Sequence, residues 1–182
     1  MNMSRGLEEV VRAITPVLNE WELFYVVVED LAKRIYGMPK DSSEMELLVN
    51  LTDDEWGKVG RFFRSVDLVC AQKKVIGDMC SHFKDKKGTV TIRLTTATDQ
   101  FDMMTIGRRL VQDFSHSTVL VASVEDLILR ELRTGKRRSL QEALDIYVHW
   151  KNHLDISYLV RTVRQLGLYD KFINMKKKGD RR

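Results

Sequence analysis

The most constraining stretch of the sequence is residues 44–63, where the spacing of apolar residues changes from a period of two to a helical one. Residues 44–51 place apolar side chains at every second position, and these are Met45, Leu47, Val49 and Leu51. Such alternation is typical of a strand with one buried face. Thr52 and Glu55 follow with the spacing of a capping box, which starts a helix. This segment therefore predicts a strand that leads directly into a helix.

Strand and helix patterns alternate over the first two thirds of the chain. Residues 4–20 have apolar residues at helical spacing, and Pro16 is expected to kink or end that helix. A β-branched and aromatic run at residues 24–28 leads into a second helical pattern. Residues 90–94 and 118–122 predict two further strands. Strands that alternate with helices indicate an α/β fold.

Only helical patterns follow residue 123. One helix is expected to end at Gly135, the next to begin with a capping box at Ser139, and a third to run from Asp155 to near Gly167. The chain is therefore expected to contain two parts.

The first of these two parts is an α/β core of residues 1–122. The second is a C-terminal helical part of residues 123–182 packed on that core. The basic tail at residues 176–182 is expected to be flexible, as chain ends often are.

Composition excludes several classes of protein. The chain has 182 residues, of which 43% are hydrophobic and 31% charged, values typical of a globular domain and not of a disordered chain. Its apolar runs are far shorter than the roughly 20 residues of a membrane helix, and the N-terminus lacks a signal pattern. Cys70 and Cys80 do not form a C-x-x-C pair and do not indicate a disulfide framework. No membrane partner and a cytoplasmic location are expected.

Three segments near the start of the chain are informative when they are taken together: YVVVEDLA from Tyr25, YGMPK from Tyr36 and EMELLV from Glu44. They resemble the opening of a nucleotidyltransferase of the polymerase-β type, particularly the small prokaryotic ones. That family has a strand, a Gly-Gly or Gly-Ser pair that begins a helix, a basic residue and Asp-x-Asp on a strand. VLVASVEDLILRELRTGK from Val119 and SLQEALDI from Ser139 resemble later elements of the same group. The resemblance covers most of residues 20–168. It implies a small mixed sheet flanked by helices, with a C-terminal helical layer.

The resemblance also implies a place for a catalytic metal site. In the family, two carboxylates two residues apart on a strand point the same way and hold two Mg²⁺ ions about 4 Å apart. The matching residues here are Glu44 and Glu46, each one methylene longer than aspartate. The third carboxylate position falls at Arg93, which stays protonated and cannot bind a metal. Arg93 is therefore expected to pair with Glu46 or Glu44 in place of the missing metal.

The substrate-binding positions also depart from the family, and these changes too weaken the expected site. The glycine pair that would hold a triphosphate is replaced by Glu29 and Asp30, and each added charge costs on the order of 1–4 kcal/mol at contact distance from a phosphate. Lys40 matches the basic residue of the family. These departures imply no cofactor, or Mg²⁺ held by Glu44 and Glu46 if activity is retained.

The leading hypothesis is a nucleotidyltransferase-fold protein that is catalytically impaired or inactive and acts as a binding or regulatory module. The first alternative is a divergent Mg²⁺-dependent nucleotidyltransferase that moves a nucleotide from ATP to a protein, an RNA or a small hydroxyl compound, with Asp99 or Asp102 as the third carboxylate. An ordinary solvated strand face also accounts for Glu44 and Glu46.

The second alternative is a basic nucleic-acid-binding protein, since the isoelectric point is about 9.1. Its phosphate contacts would come from a cluster of cations together with the basic tail. The cluster contains Arg130, Arg133, Lys136, Arg137 and Arg138. A solvated helix end, where cations favour the C-terminal dipole, accounts for the same cluster. RNA, a nucleotide and a protein all remain open as partners.

Overall fold

The protein folds as a mixed sheet with helices, followed by four further helices. The computed structural model describes residues 6–73, 80–86 and 88–181, with the side chains of all but residues 73 and 80 among them. The strands are β1 (Tyr25–Val28), β2 (Glu44–Val49), β3 (Leu68–Lys73), β4 (Cys80–Asp85), β5 (Thr91–Thr96), β6 (Leu110–Phe114) and β7 (Ser117–Val121). The helices are α1 (Leu7–Glu20), α2 (Glu29–Ile35), α3 (Asp53–Ser65), α4 (Gln100–Gly107), α5 (Val124–Thr134), α6 (Arg137–Trp150), α7 (Ile156–Gln165) and α8 (Tyr169–Gly179).

All seven of these strands belong to one sheet, in the order β3-β4-β5-β2-β1-β7-β6. The pairs β2–β5 and β1–β7 are parallel, and the other neighbours are antiparallel. The predicted α/β fold with a small mixed sheet is therefore confirmed. The patterns of β3, β4, β6, α4 and α8 were not recognised in the sequence.

The chain divides into two compact units, residues 1–122 and residues 123–182. The first, which we call the sheet unit, contains the sheet and α1–α4. The second, which we call the helical unit, contains α5–α8. In the part of the chain that the structure describes, every helix is too short or too polar to span a bilayer.

Capping side chains set the starts of several helices. Thr52 and Glu55 form the predicted capping box of α3, in which the Thr52 amide donates to Glu55 Oε2 at 2.7 Å and the Glu55 amide donates to Thr52 Oγ1 at 3.3 Å. The Ser123 hydroxyl oxygen accepts from the Asp126 amide at the start of α5. α5 ends at Gly135, whose φ of 69° is the left-handed conformation expected of a glycine cap.

One sequence expectation about the helices is wrong. α6 begins at Arg137 and not at Ser139, because the chain leaves Gly135 through an extended Lys136 and the Leu140 amide already donates to the Lys136 carbonyl at 2.9 Å. Ser139 consequently lies inside the first turn. Residues 176–179, the first part of the basic tail, belong to α8, and the flexibility of the tail stays a prediction.

Two further expectations concern single residues. Pro16 lies inside α1 and does not end that helix. Cys70 is disulfide-bonded, although the number and spacing of cysteines did not indicate a disulfide. A single disulfide depends on the local distance between two sulfur atoms, which a cysteine count does not test.

Candidate functional site

The residues that match the family's metal site lie side by side on the two parallel strands β2 and β5. Glu46 is directly opposite Arg93, and Glu44 is opposite Thr91. Glu44 and Glu46 are two residues apart, so both side chains point to the face of the sheet on which Arg93 lies. The sheet register therefore brings together the three side chains that the sequence singled out.

Arg93 forms ion pairs with both glutamates, as predicted. Its Nη2 lies 2.7 Å from Glu44 Oε1, and its Nη1 lies 3.4 Å from Glu46 Oε2. The side chain of Glu46 is 13% exposed, whereas those of Glu44 and Arg93 are 36% and 42% exposed. The pairs are thus partly shielded from water, which strengthens them relative to pairs on an open surface.

The hydrogen bonds of this cluster are unevenly distributed. Thr95 Oγ1 donates to Glu46 Oε1 at 3.0 Å, so both oxygens of Glu46 have partners. Glu44 Oε1 is close to Arg93 but is not aligned for a hydrogen bond, and Arg93 Nε is buried without a hydrogen-bond partner among the described residues. Glu46 is therefore the better-held of the two carboxylates, and Thr95 is a contributor that the sequence did not indicate.

The chain passes from β1 into α2 at Glu29, in a backbone conformation that favours glycine. Glu29 has a φ of 57°, in the left-handed region, which costs roughly 1–2 kcal/mol for a residue with a side chain. This is the position at which the family resemblance places the first glycine of its pair. The turn has kept a glycine-like conformation, although the residue there is glutamate.

A buried lysine neutralises the start of α2. Lys33 is 2% exposed, and its Nζ lies 3.9 Å from Glu29 Oε2 and 3.5 Å from Asp30 Oδ1. Lys40 Nζ lies 3.9 Å from the same oxygen of Asp30. Lys33 was missed in the sequence, although it follows Glu29 by four residues and Asp30 by three, the spacing at which helical side chains meet.

Asp99 and Asp102, the residues considered as a third carboxylate, act at the start of α4. Asp99 Oδ1 accepts from the Asp102 amide at 2.9 Å. Asp102 Oδ2 accepts from the Thr98 amide at 3.0 Å and from the Thr98 hydroxyl at 3.2 Å. These bonds form a reciprocal cap and account for both residues in structural terms.

The described residues do not fit the Mg²⁺ site that the fold family implies. Within that part of the chain, no group of three or more His, Cys, Asp or Glu side chains is arranged to hold a metal ion. The guanidinium of Arg93 already lies at contact distance from Glu44 and within ion-pair distance of Glu46. A divalent cation would have to displace this group or be repelled by it.

The basic cluster named in the sequence lies in the helical unit. Arg130 and Arg133 are on α5, Lys136 caps α6, and Arg137 and Arg138 are in its first turn. Arg138 pairs with Glu142 on the same helix, with Nε to Oε1 at 3.2 Å. The first turn of α6 contains no acidic residue, so these cations add to the positive end of the helix dipole.

Comparison with known proteins identifies the fold but not a sequence family. No family model and no curated protein matches the chain. An antigenic nucleotidyltransferase-like protein from Paracoccidioides brasiliensis is similar in structure, with a TM-score of 0.57 and 14% identity over 88% of this chain and 90% of that chain.

Two more solved structures have the same architecture. The antibiotic-resistance factor ANT(2'')-Ia gives a TM-score of 0.59 at 10% identity, covering 96% of this chain and 97% of that one. JHP933 from Helicobacter pylori gives a TM-score of 0.52 at 15% identity, covering 96% and 92%. At such low identity the similarity concerns the fold alone. The chain has the nucleotidyltransferase-like fold.

Proposed function

We propose that this protein is a nucleotidyltransferase-fold protein without metal-dependent transferase activity, which acts as a binding or regulatory module. The observation that carries the proposal is the pairing of Arg93 with both Glu44 and Glu46. An arginine remains charged at any physiological pH, so the cation of these ion pairs is always present. The two carboxylates that would bind Mg²⁺ both contact a cation of the protein itself, which offsets one of their two negative charges.

The start of α2 supports the proposal independently. In an active enzyme of this fold the helix start would present backbone amides to a polyphosphate, as helix N-termini do. Here Glu29 and Asp30 place two carboxylates in the first turn. Lys33 and Lys40 pair with them and restore neutrality without making the turn an anion site. Both halves of the expected nucleotide site are therefore occupied by internal ion pairs.

The competing function is a divergent Mg²⁺-dependent nucleotidyltransferase. ANT(2'')-Ia, which has the same fold, has been crystallised with adenylyl-2''-tobramycin, so a nucleotide is the ligand to test first. For this chain to work in that way, Arg93 would have to move away from Glu44 and Glu46 when nucleotide binds. The two proposals therefore differ in what Mg·ATP does to the protein.

Isothermal titration of the protein with ATP in millimolar MgCl₂, followed by incubation with α-labelled ATP, separates these functions. We expect no binding heat and no label transferred to the protein or to added RNA. Magnesium-dependent transfer that is abolished in Glu44→Gln and Glu46→Gln would establish the enzyme and overturn the proposal. Thr118→Ala, an exposed position on β7 of the same sheet, serves as the matched control.

A further inference from the structure

A groove of about 660 Å³ runs between α6 and α8 in the helical unit. Its floor is apolar, and its edges carry three cations. The floor consists of Leu140, Leu144 and Met175, and the cations are Arg137, Lys171 and Lys178. Among the residues that the structure describes, no acidic side chain lines the groove. The groove is large enough for a nucleotide-sized group, for which sites typically measure about 300–1,000 Å³.

The two ends of the groove are fixed by glycines. At one end a Cβ on Gly179 would lie 2.5 Å from Tyr147 Cδ1, so α6 and α8 meet there in a contact that only glycine allows. At the other end Gly135 turns the chain in the left-handed conformation, and a Cβ there would lie 2.7 Å from Lys171 Nζ. The helices touch at Gly179 and leave space towards their N-termini. The groove is thus built into the packing of the two helices.

The cations of the groove are not neutralised in the way that neighbouring cations are. Arg138 pairs with Glu142, and Lys176 pairs with Asp180. Within the described residues, neither Arg137 nor Lys178 forms an ion pair. Lys171 Nζ donates to the Leu132 carbonyl at the end of α5 at 3.3 Å, which leaves part of its donor capacity for a ligand. The edges of the groove therefore favour an anion.

The charge of the whole helical unit agrees with this local pattern. Residues 123–182 contain 14 Lys and Arg and 8 Asp and Glu, a formal charge of +6, whereas residues 1–122 contain 16 and 18, a formal charge of −2. The excess positive charge of the protein thus belongs to the unit that contains the groove. Such an excess attracts polyanions over distances of about a Debye length.

We propose that the groove binds a single strand of nucleic acid, with phosphates on its cationic edges and a base against its apolar floor. Lys171 and Lys178 are two helical turns apart, about 10 Å along α8, which suits two separate phosphates of a strand better than the adjoining phosphates of one free nucleotide. A duplex would keep its base faces stacked away from the floor. Both features favour a single strand over a mononucleotide and over a duplex. The proposal does not depend on the state of the sheet site.

The test is fluorescence anisotropy with labelled 12-nucleotide single strands, of RNA and of DNA, titrated with the full-length protein across a salt series. The double variant Arg137→Gln/Lys178→Gln should bind about ten-fold more weakly at low salt. Its log–log salt slope should be shallower by about 1.4, because each phosphate contact on a single strand contributes about 0.7. The matched control Lys151→Gln/Arg161→Gln removes two cations from outside the groove and should change neither value appreciably.

Four results would overturn the proposal. The first is a wild-type protein that binds neither strand at low salt. The second is an equal loss of affinity in the two double variants, which would mean that the overall positive charge, and not the groove, accounts for binding. A duplex of the same sequence that binds as tightly as the single strand would refute the contact between base and floor. ATP that competes with the strand at equal molar concentration would identify a free nucleotide as the occupant instead. Binding of the DNA and RNA strands with similar affinity supports the proposal, since no contact described here involves the 2′-hydroxyl.

Discussion

In the sheet unit each of the four acidic side chains at the candidate site lies within 4 Å of a lysine or arginine nitrogen. In the helical unit, by contrast, the described lining of the groove contains cations and no acidic side chain. A site whose charges are paired internally offers little to a metal or a polyphosphate, because a new ion must first displace an existing partner. Cations that have no acidic partner can bind an anion without first losing an existing ion pair. This difference in charge pairing is the reason why we propose a ligand for the helical unit and none for the sheet site.

The largest expected effect tests whether the groove depends on the contact between its helices. Gly179→Val would push a side chain into Tyr147, and overpacking of this kind costs typically about 1–3 kcal/mol. We expect a lower free energy of unfolding in urea and weaker single-strand binding. Gly60→Ala in α3 is the matched substitution in the sheet unit. A Cβ there meets only Arg64 Nη1 at 3.8 Å, so it should stabilise by roughly 0.5–1 kcal/mol. Equal effects of the two substitutions would contradict this account of the groove.

The second prediction tests the ion pairs of the sheet unit against one of the helical unit. Arg93→Met leaves Glu44 and the largely buried Glu46 without their cation, and we expect a loss of about 1–2 kcal/mol, less than for a fully buried pair. Arg138→Met breaks an exposed pair and should cost under about 0.5 kcal/mol. Urea denaturation of both variants measures the difference. If Arg93→Met lowers the free energy of unfolding no more than Arg138→Met does, the ion pairs of Arg93 contribute no more to stability than an exposed pair.

The third prediction concerns the strained turn at Glu29. Glu29→Gly should relieve the left-handed strain but lose the pair with Lys33, for a net stabilisation of roughly 0.5–1 kcal/mol. Asp30→Gly lies within the helix and should instead destabilise by about 1 kcal/mol. Thermal melts of the two variants, compared with wild type, show whether each variant is stabilised or destabilised. A destabilised Glu29→Gly would mean that the ion pair with Lys33 outweighs the strain.

The smallest effect concerns a charge of the helical unit that does have a partner. The hydrogen bond from Lys176, followed by that from Tyr147, holds the pKa of Asp180 below its ordinary value of 3.8. A depressed pKa means that this contribution is present above pH 3.8 and is lost as the pH falls through the lower, folded value. The melting temperature of Asp180→Asn should therefore lie slightly below that of wild type near neutral pH and converge with it in acid. If the difference in melting temperature between Asp180→Asn and wild type persists at low pH, the ionised carboxylate of Asp180 is not its cause.

The sequence patterns predicted the helices and strands that have a strong apolar periodicity or a capping motif. They missed several elements in which neither signal is present. β2 and the capping box of α3 were predicted because one strand face is apolar and two capping residues are adjacent in sequence. β6 was missed because Leu110 and Val111 are exposed at the sheet edge, so no face of that strand is distinctly apolar. The start of α6 was placed at Ser139 because the true cap, Lys136, has no capping side chain.

The sequence predicted those contacts of the candidate site that follow from the spacing of residues along a strand. It missed the contacts that depend on three-dimensional packing. The spacing of Glu44 and Glu46 and the family resemblance were enough to predict their pairing with Arg93. The burial of Lys33 and the bond from Thr95 depend on neighbours that the one-dimensional pattern does not identify. The groove joins Arg137 to Lys178 across 41 positions of sequence, and only the packing of α6 on α8 brings them together.

Manganese binding to the sheet site tests the central claim most directly. Titration of Mn²⁺ into the protein, followed by the loss of free Mn²⁺ signal in electron paramagnetic resonance, should show no site in wild type at micromolar concentration. Arg93→Asp removes the competing cation and adds a third carboxylate, so it should gain a site that disappears when Glu46→Gln is added. Tight Mn²⁺ binding by the wild-type protein that is lost in Glu44→Gln and Glu46→Gln would contradict the account.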